Sequence, residues 1–275
     1  MHAVIMAGGK GARLRPYTTA LPKPLVPIGD SHSILEIVLH QLAAYGFTSV
    51  TLAINHLGPL IRAFVGDGSR WGIKVAYAEE RTPLSTVGPL FALKDSLPEQ
   101  FLVMNSDILT NLNYGRLLAS HGESGAPLTV ATAPRTTRID FGVLEVSNER
   151  IVGFTEKPSF THRVSMGVYG MSRETLRPYQ EGVALGFDQL VLDLIDGGCP
   201  PATYEFDGYW LDIGRPDDYD EANRSFPRLR PLLLPARVVA ADHARVVADD
   251  HGRSEPARTE PTMDGTVLDR VRESV

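Results

Sequence analysis

The stretch from Ala7 to Arg13 gathers the residues best suited to chemistry: Gly8, Gly9, Lys10, Gly11 and Arg13 follow a short apolar run at 2–6, and Lys23-Pro24 comes soon after. Glycines at 8, 9 and 11 remove the Cβ atoms that would hold a ligand's oxygens away from backbone N–H groups. Such a loop wraps an anionic chain of phosphates. Arg13 and Lys23 add two fixed cations, which suits a triphosphate whose charge moves toward a departing pyrophosphate during reaction. A nucleotide is the expected ligand.

Two better-known phosphate loops do not fit. A P-loop needs Gly-Lys-Ser/Thr, and Lys10 is followed by Gly11. A dinucleotide fingerprint counted from Gly9 and Gly11 meets Leu14 where its third glycine belongs. A bare tight turn explains the glycines but not Arg13, Pro16 and Lys23-Pro24 arriving together.

A second candidate closes the apolar run 101–107. Asn105-Ser106-Asp107 sets a carboxylate at the carboxyl edge of a sheet, where a hard cation such as Mg²⁺ can bind it together with phosphate oxygens. A lone Asp after a strand is also an ordinary helix cap, but Asn111 or Asn113 can cap the next helix.

The stretch GGKGARLRPYTTALPKPLVPI resembles the signature of the sugar-1-phosphate nucleotidylyltransferases, Gly-Gly-x-Gly-x-Arg-Leu-x-Pro-x-Thr followed by Pro-Lys-Pro. The resemblance implies that Ala7, Gly8, Gly9, Gly11 and Arg13 bind a nucleoside triphosphate, and that Lys23 acts on the phosphates where the reaction occurs. Residues 79–90 are similar to the family's base-contacting loop; Gly88 is retained, while Ser85, Val87 and Pro89 depart at small positions. Asn-Ser-Asp107 is similar to the family's Asn-Gly-Asp, and Trp210-Leu-Asp212-Ile-Gly to its Trp-x-Asp-Ile-Gly, so Asp107 and Asp212 are the implied Mg²⁺ ligands.

On the sugar side, Phe141-Gly142 resembles Tyr-Gly, and Glu156-Lys157-Pro158 matches Glu-Lys-Pro. Lys157 is implied to hold the sugar's phosphate, although by composition Glu156 and Lys157 read as a solvated pair. Ser165 stands where an Asn is usual and shortens a sugar-directed side chain. The resemblance covers about 1–226 and is nearest to the mannose-1-phosphate guanylyltransferase branch. GTP is the first expectation and TTP the second. A heptose or cyclitol phosphate is an alternative acceptor, and a non-catalytic nucleotide-binding relative is the alternative of another class.

The elements that position these residues follow from hydrophobic period. Strands are expected at 2–6, 50–54 and 73–77, separated by helices at 33–45 and 57–65, the crossover arithmetic of a parallel sheet. A further helix is expected to run from the 79–90 loop toward Asp95. From 128 the texture changes: strands at 128–132, 141–146, 150–154 and 164–169 are joined by turns too short for helical crossovers, so they pair antiparallel. A helix at 187–195, a strand at 202–206 and a helix from Pro216 follow. The expected class is α/β, a Rossmann-like mixed sheet flanked by helices with an antiparallel sugar-binding subregion.

The 275 residues, 43% hydrophobic and 22% charged, suffice for one sizeable domain, expected at 1–235, with 236–275 a poorly ordered tail. A net charge of −6 without basic blocks argues against nucleic acid as partner. No apolar run is long enough for a membrane span, and the chain is expected to be soluble and cytoplasmic. A homo-oligomer is left open. The single cysteine, Cys199, lies in a Gly-Pro-rich turn and can form no internal disulfide.

Overall fold

The computed structural model describes residues 1–29, 32–80 and 82–241. In chain order the elements are β1 (His2–Ala7), β2 (Pro27–Ile28), β3 (His32–Ser33), α1 (Ile34–Ala44), β4 (Ser49–Ile54), α2 (Gly58–Val65), β5 (Lys74–Glu79) and α3 (Gly88–Phe91). They continue with β6 (Gln100–Asn105), β7 (Ile108–Thr110), α4 (Tyr114–Ser124), β8 (Leu128–Arg138), β9 (Val143–Ser147), β10 (Arg150–Thr155) and β11 (Ser159–Ser172). The last are α5 (Phe187–Asp196), β12 (Ala202–Glu205), β13 (Trp210–Asp212) and α6 (Pro216–Leu233).

Seven strands form the central sheet in the order β12-β8-β11-β6-β1-β4-β5. β6, β1, β4 and β5 run parallel, with β1 between β4 and β6, while β11 pairs antiparallel with both β6 and β8. The α/β class and the expected change of texture after 128 are both present. β1 is apolar on both faces because both are covered: Ala3, Ile5 and Ala7 join one core cluster with Leu35, Val38 and Leu52, and Val4 joins the other with Phe101, Leu90 and Phe187.

Local chemistry sets the helix limits. Ser33 accepts from the Glu36 N–H while the Glu36 carboxylate accepts from the Ser33 N–H, a capping box that starts α1. Asn113 caps α4 by accepting from the Arg116 N–H. The helix expected to run toward Asp95 is corrected to the four residues of α3, with turns carrying the chain on.

β8 and β11 are far longer than their sequence suggests. Their outer halves leave the sheet as a two-stranded ribbon, paired from Ser159–Arg138 to Ser165–Thr132, and carry at their tip a separate hairpin of β9 and β10. The chain divides into Met1–Pro235 and Ala236–Val275. Beyond residue 241 the expected tail lies outside the described residues.

Candidate active site

The glycine loop leaves the carboxyl end of β1 and is pinned from within. Gly11 sits at φ +60, and a Cβ there would press within 3.0 Å of Thr18 Cγ2 and 3.3 Å of Lys23 Cβ. The buried Thr18 hydroxyl donates to the Gly11 carbonyl at 2.7 Å. The loop is therefore fastened to the segment that carries Lys23.

A cavity of about 540 Å³ opens beside it, lined by Gly8, Gly9, Lys10, Lys23, Glu80 and Asp107, among others. That is the size of a small-ligand site. A more open hollow of about 790 Å³ touches Met1, His2 and Ser49, at the amino ends of β1 and β4, away from these residues.

Asp107 reaches the cavity from the turn after β6. Lys23, only 9% exposed, forms an ion pair with Asp107 Oδ2. Asp107 Oδ1 is buried without a hydrogen-bond partner. Asp212 comes from β13, which pairs antiparallel with β7 so that Asp212 lies opposite Ile108. The Ile213 N–H donates to the Asp107 carbonyl at 3.0 Å, and the Trp210 indole donates to the Met166 carbonyl at 3.0 Å, fixing β13 from two sides. Burial and then the Asp107 charge push the Asp212 carboxyl up, against the pull of Lys23 and Arg13. Arg13 points the same way: its Nη2 lies 3.8 Å from where a Gly214 Cβ would be.

Two neighbouring carboxylates, Asp212 raised in part by the charge of Asp107 and Asp107 with an orphaned buried oxygen, suit a hard divalent cation. Among the described residues no group of three or more His, Cys, Asp or Glu side chains could hold a metal, so water and substrate oxygens would complete the shell.

Arg13, Lys23, Asp107 and Asp212 thus come together beside Gly8, Gly9 and Gly11. Of the base-segment departures, Ser85 lines the cavity, while Val87 and Pro89 are buried away from it. Gly88 is also buried, and a Cβ there would lie 2.6 Å from both Leu84 Cβ and the Val183 carbonyl oxygen. Ser165 donates to the Tyr169 hydroxyl and accepts from Gly167 N–H at the bulge of β11, next to Asn105.

Phe141, Gly142, Glu156 and Lys157 form a cluster of their own at the root of the hairpin. A Cβ on Gly142 would lie 2.6 Å from the Phe154 ring and 3.3 Å from Glu156 Oε2. Lys157 Nζ is 3.8 Å from Glu156 Oε1, and both side chains are more than half or about half exposed. Among the described residues no hydrogen bond or ion pair joins this cluster to Asp107 or Asp212.

Sequence reading missed Asn55 on the cavity wall, and Glu80, on the same wall, entered it only as part of the 79–90 loop.

Residues 2–228 match the nucleotidyl transferase family. The chain belongs to that family. It is 32% identical over 228 residues to the mannose-1-phosphate guanyltransferase of Schizosaccharomyces pombe, a match covering 80% of this chain and 62% of that one. It is 31% identical over 245 residues to the UTP–glucose-1-phosphate uridylyltransferase of Synechocystis, covering 82% and 63%. The chain therefore spans less than two thirds of the length of either. Among solved structures, HddC from Yersinia pseudotuberculosis complexed with GMP-PN superimposes with a TM-score of 0.63 at 23% identity, covering 82% of this chain and 99% of that one. Its fold is the same. Among the described residues no helix is long and apolar enough to cross a membrane.

Proposed function

We propose that this chain transfers a nucleotidyl group from a nucleoside triphosphate to a sugar 1-phosphate, giving a nucleoside-diphosphate sugar and pyrophosphate. The observation that carries this is the β7–β13 pairing, which sets Asp212 beside Asp107, Lys23 and the glycine loop. A phosphate oxygen of the sugar 1-phosphate attacks the α-phosphorus in line, and the bond to pyrophosphate breaks. No protein nucleophile is required.

Asp107 and Asp212 would hold Mg²⁺, which supplies charge neutralisation at the reacting phosphates when bound. Gly9, Gly11 and Arg13 grip the triphosphate, and Lys23, already fixed by Asp107, faces the oxygens that gain charge. Lys157 and Glu156 meet the sugar phosphate from the hairpin side, with Phe141, Gly142 and Ser165 shaping that wall. GTP is the favoured donor, supported by the guanyltransferase relative, with TTP second; mannose-like, heptose or cyclitol phosphates are the acceptors of choice. Substrates of this kind put the reaction in the cytoplasm.

Pyrophosphate release measured across four NTPs and a panel of sugar 1-phosphates tests the reading. Turnover with at least one pair, dependent on Mg²⁺, is expected. Nucleotide binding without release for any pair would leave the non-catalytic alternative.

A further inference from the structure

We infer that Asp218 is a positioning residue for the reaction, fixing the turn at which Asp212 and Arg13 meet; the inference rests on the nucleotidyl-transfer reading above. The turn Ile213-Gly214-Arg215 joins the end of β13 to Pro216 at the start of α6. The Ile213 N–H is taken by the Asp107 carbonyl, and Pro216 has none to give. The Gly214 and Arg215 N–H groups both donate to Asp218 Oδ2, at 3.1 and 2.8 Å, the first of them also reaching the Asp212 carbonyl at 2.9 Å. One carboxylate oxygen thus closes the turn, and its charge strengthens both bonds.

An acidic residue in the first turn of a helix is ordinarily a cap, and the bond to Arg215, the residue just before α6, does that work. The bond to Gly214 reaches further, outside the helix and into the turn that follows Asp212. Gly214 is buried, and a Cβ on it would lie 3.5 Å from Asp218 Oδ2 and 3.8 Å from both Arg13 Nη2 and Asp212 Oδ1. Three charged side chains from separate stretches of chain therefore border one bare spot. The helix that carries Asp218 is in turn anchored to the segment that carries Lys23. The Tyr219 hydroxyl donates to the Pro27 carbonyl at 2.8 Å, Asn223 Oδ1 accepts from the Gly29 N–H at 2.9 Å, and the Phe226 ring lies against Gly29. Residues 219, 223 and 226 share one face of α6. The Tyr219 ring also packs on Tyr17, with centroids 4.6 Å apart, so the same helix touches the chain that leaves the glycine loop. Arg13, Lys23 and Asp212 thus have α6 as a common frame, and Asp218 is the link that ties Asp212 into it. An in-line displacement needs its charges aimed to within a fraction of an ångström, so a slack turn costs rate more than affinity.

The test uses the full chain as wild type, Asp218→Ala and Asp218→Asn, with Mg²⁺ and the pair of NTP and sugar 1-phosphate that gives most pyrophosphate release. Each substrate is varied in turn, NTP binding is measured by calorimetry, and thermal melts set an assay temperature at which every variant is folded. Asp218→Ala should lower kcat by about 10- to 100-fold and change KM and Kd for the NTP by less than about threefold. Asp218→Asn keeps an oxygen that accepts from both N–H groups and should return kcat to within about fivefold of wild type. The inference is overturned if Asp218→Ala melts lower yet keeps its kcat, as a mere cap would, if the loss falls on NTP affinity instead, or if Asp218→Asn loses as much as Asp218→Ala. Should Asp218→Ala fail to fold, Asp218→Glu replaces it. The longer side chain still suits the helix start but moves the acceptor away from Gly214, so kcat should fall about tenfold, and a wild-type kcat overturns the inference. A wild type that releases no pyrophosphate with any pair sinks the transfer reading and the positioning role with it; full turnover in both wild type and Asp218→Ala sinks the positioning role alone.

Discussion

The two halves of the site are built in opposite ways. The half proposed for the nucleotide hangs from β1, β4 and β6, whose apolar residues are buried on both faces, and its loop is fastened by Thr18 and by the Lys23–Asp107 pair. The half proposed for the sugar rides on the outer ribbon of β8 and β11 and a hairpin whose apolar side chains face solvent: Phe141 is 77% exposed, Ile151 65% and Phe154 63%. A small two-stranded hairpin has little stability of its own. On the proposed function, charge stabilisation is pre-formed where the triphosphate would react, whereas the acceptor's wall has little packing of its own. Preorganised charge is what lowers a phosphoryl-transfer barrier, and a loosely held wall costs little there.

The sharpest way to break this comparison is at the two carboxylates. Asp107→Asn and Asp212→Asn should each lower turnover by about 10³-fold or more at saturating Mg²⁺. Near-normal turnover in either would remove the metal assignment. Their stabilities should move apart. Asp107→Asn leaves the buried Lys23 without its partner and should lower the melting temperature. Asp212→Asn removes a charge disfavoured by burial and by Asp107, and should raise it.

The pH dependence follows from the same raised Asp212 pKa. The folded chain holds that proton more tightly than the unfolded chain, so the stabilising contribution is full below the ordinary carboxylate range and is lost as pH rises through the raised value. Asp212→Asn should flatten that part of the stability–pH curve, read by thermal melts across acidic pH. An unchanged curve would place the repulsion elsewhere.

Lysines 23 and 157 separate the halves by kinetics. Lys157→Ala should raise KM for the sugar 1-phosphate by about 10- to 150-fold, with little change in KM for the NTP. Lys23→Ala should act mainly on kcat. If Lys157→Ala weakened only NTP binding, the hairpin would not be the acceptor's wall.

The smallest effect is expected at the hairpin surface. Ile151→Ser removes an exposed side chain and should shift unfolding by no more than about 0.5 kcal/mol in denaturant titrations. A larger loss, or a change of sedimentation behaviour on that substitution, would mean that the apolar face is covered in solution.

Much of this was legible from the chain itself, for identifiable reasons. β1, α1, β4 and α2 announce themselves because burial on one or both faces writes a period into the residues, and Asp107 follows an apolar run that ends abruptly. The ribbon was not legible: Arg135–Arg138 and Thr161–Arg163 face water on both sides, so no buried face imposes alternation. Nor was β7–β13 pairing, since three-residue strands carry almost no pattern. Glu80 was legible only as part of the 79–90 loop, because which of two neighbouring carboxylates turns inward is decided by the loop and not by either residue.

The β7–β13 clasp also has a consequence for the order of assembly. The Thr110 hydroxyl donates to the Tyr209 carbonyl at 2.8 Å across 99 residues of chain, and Asn111 and Tyr209 are bonded in the same stretch. During synthesis the loop, Lys23 and Asp107 emerge early, but Asp212 arrives only after the ribbon, hairpin and α5 have left the ribosome. The four charged residues can therefore come together only once most of Met1–Pro235 has been made.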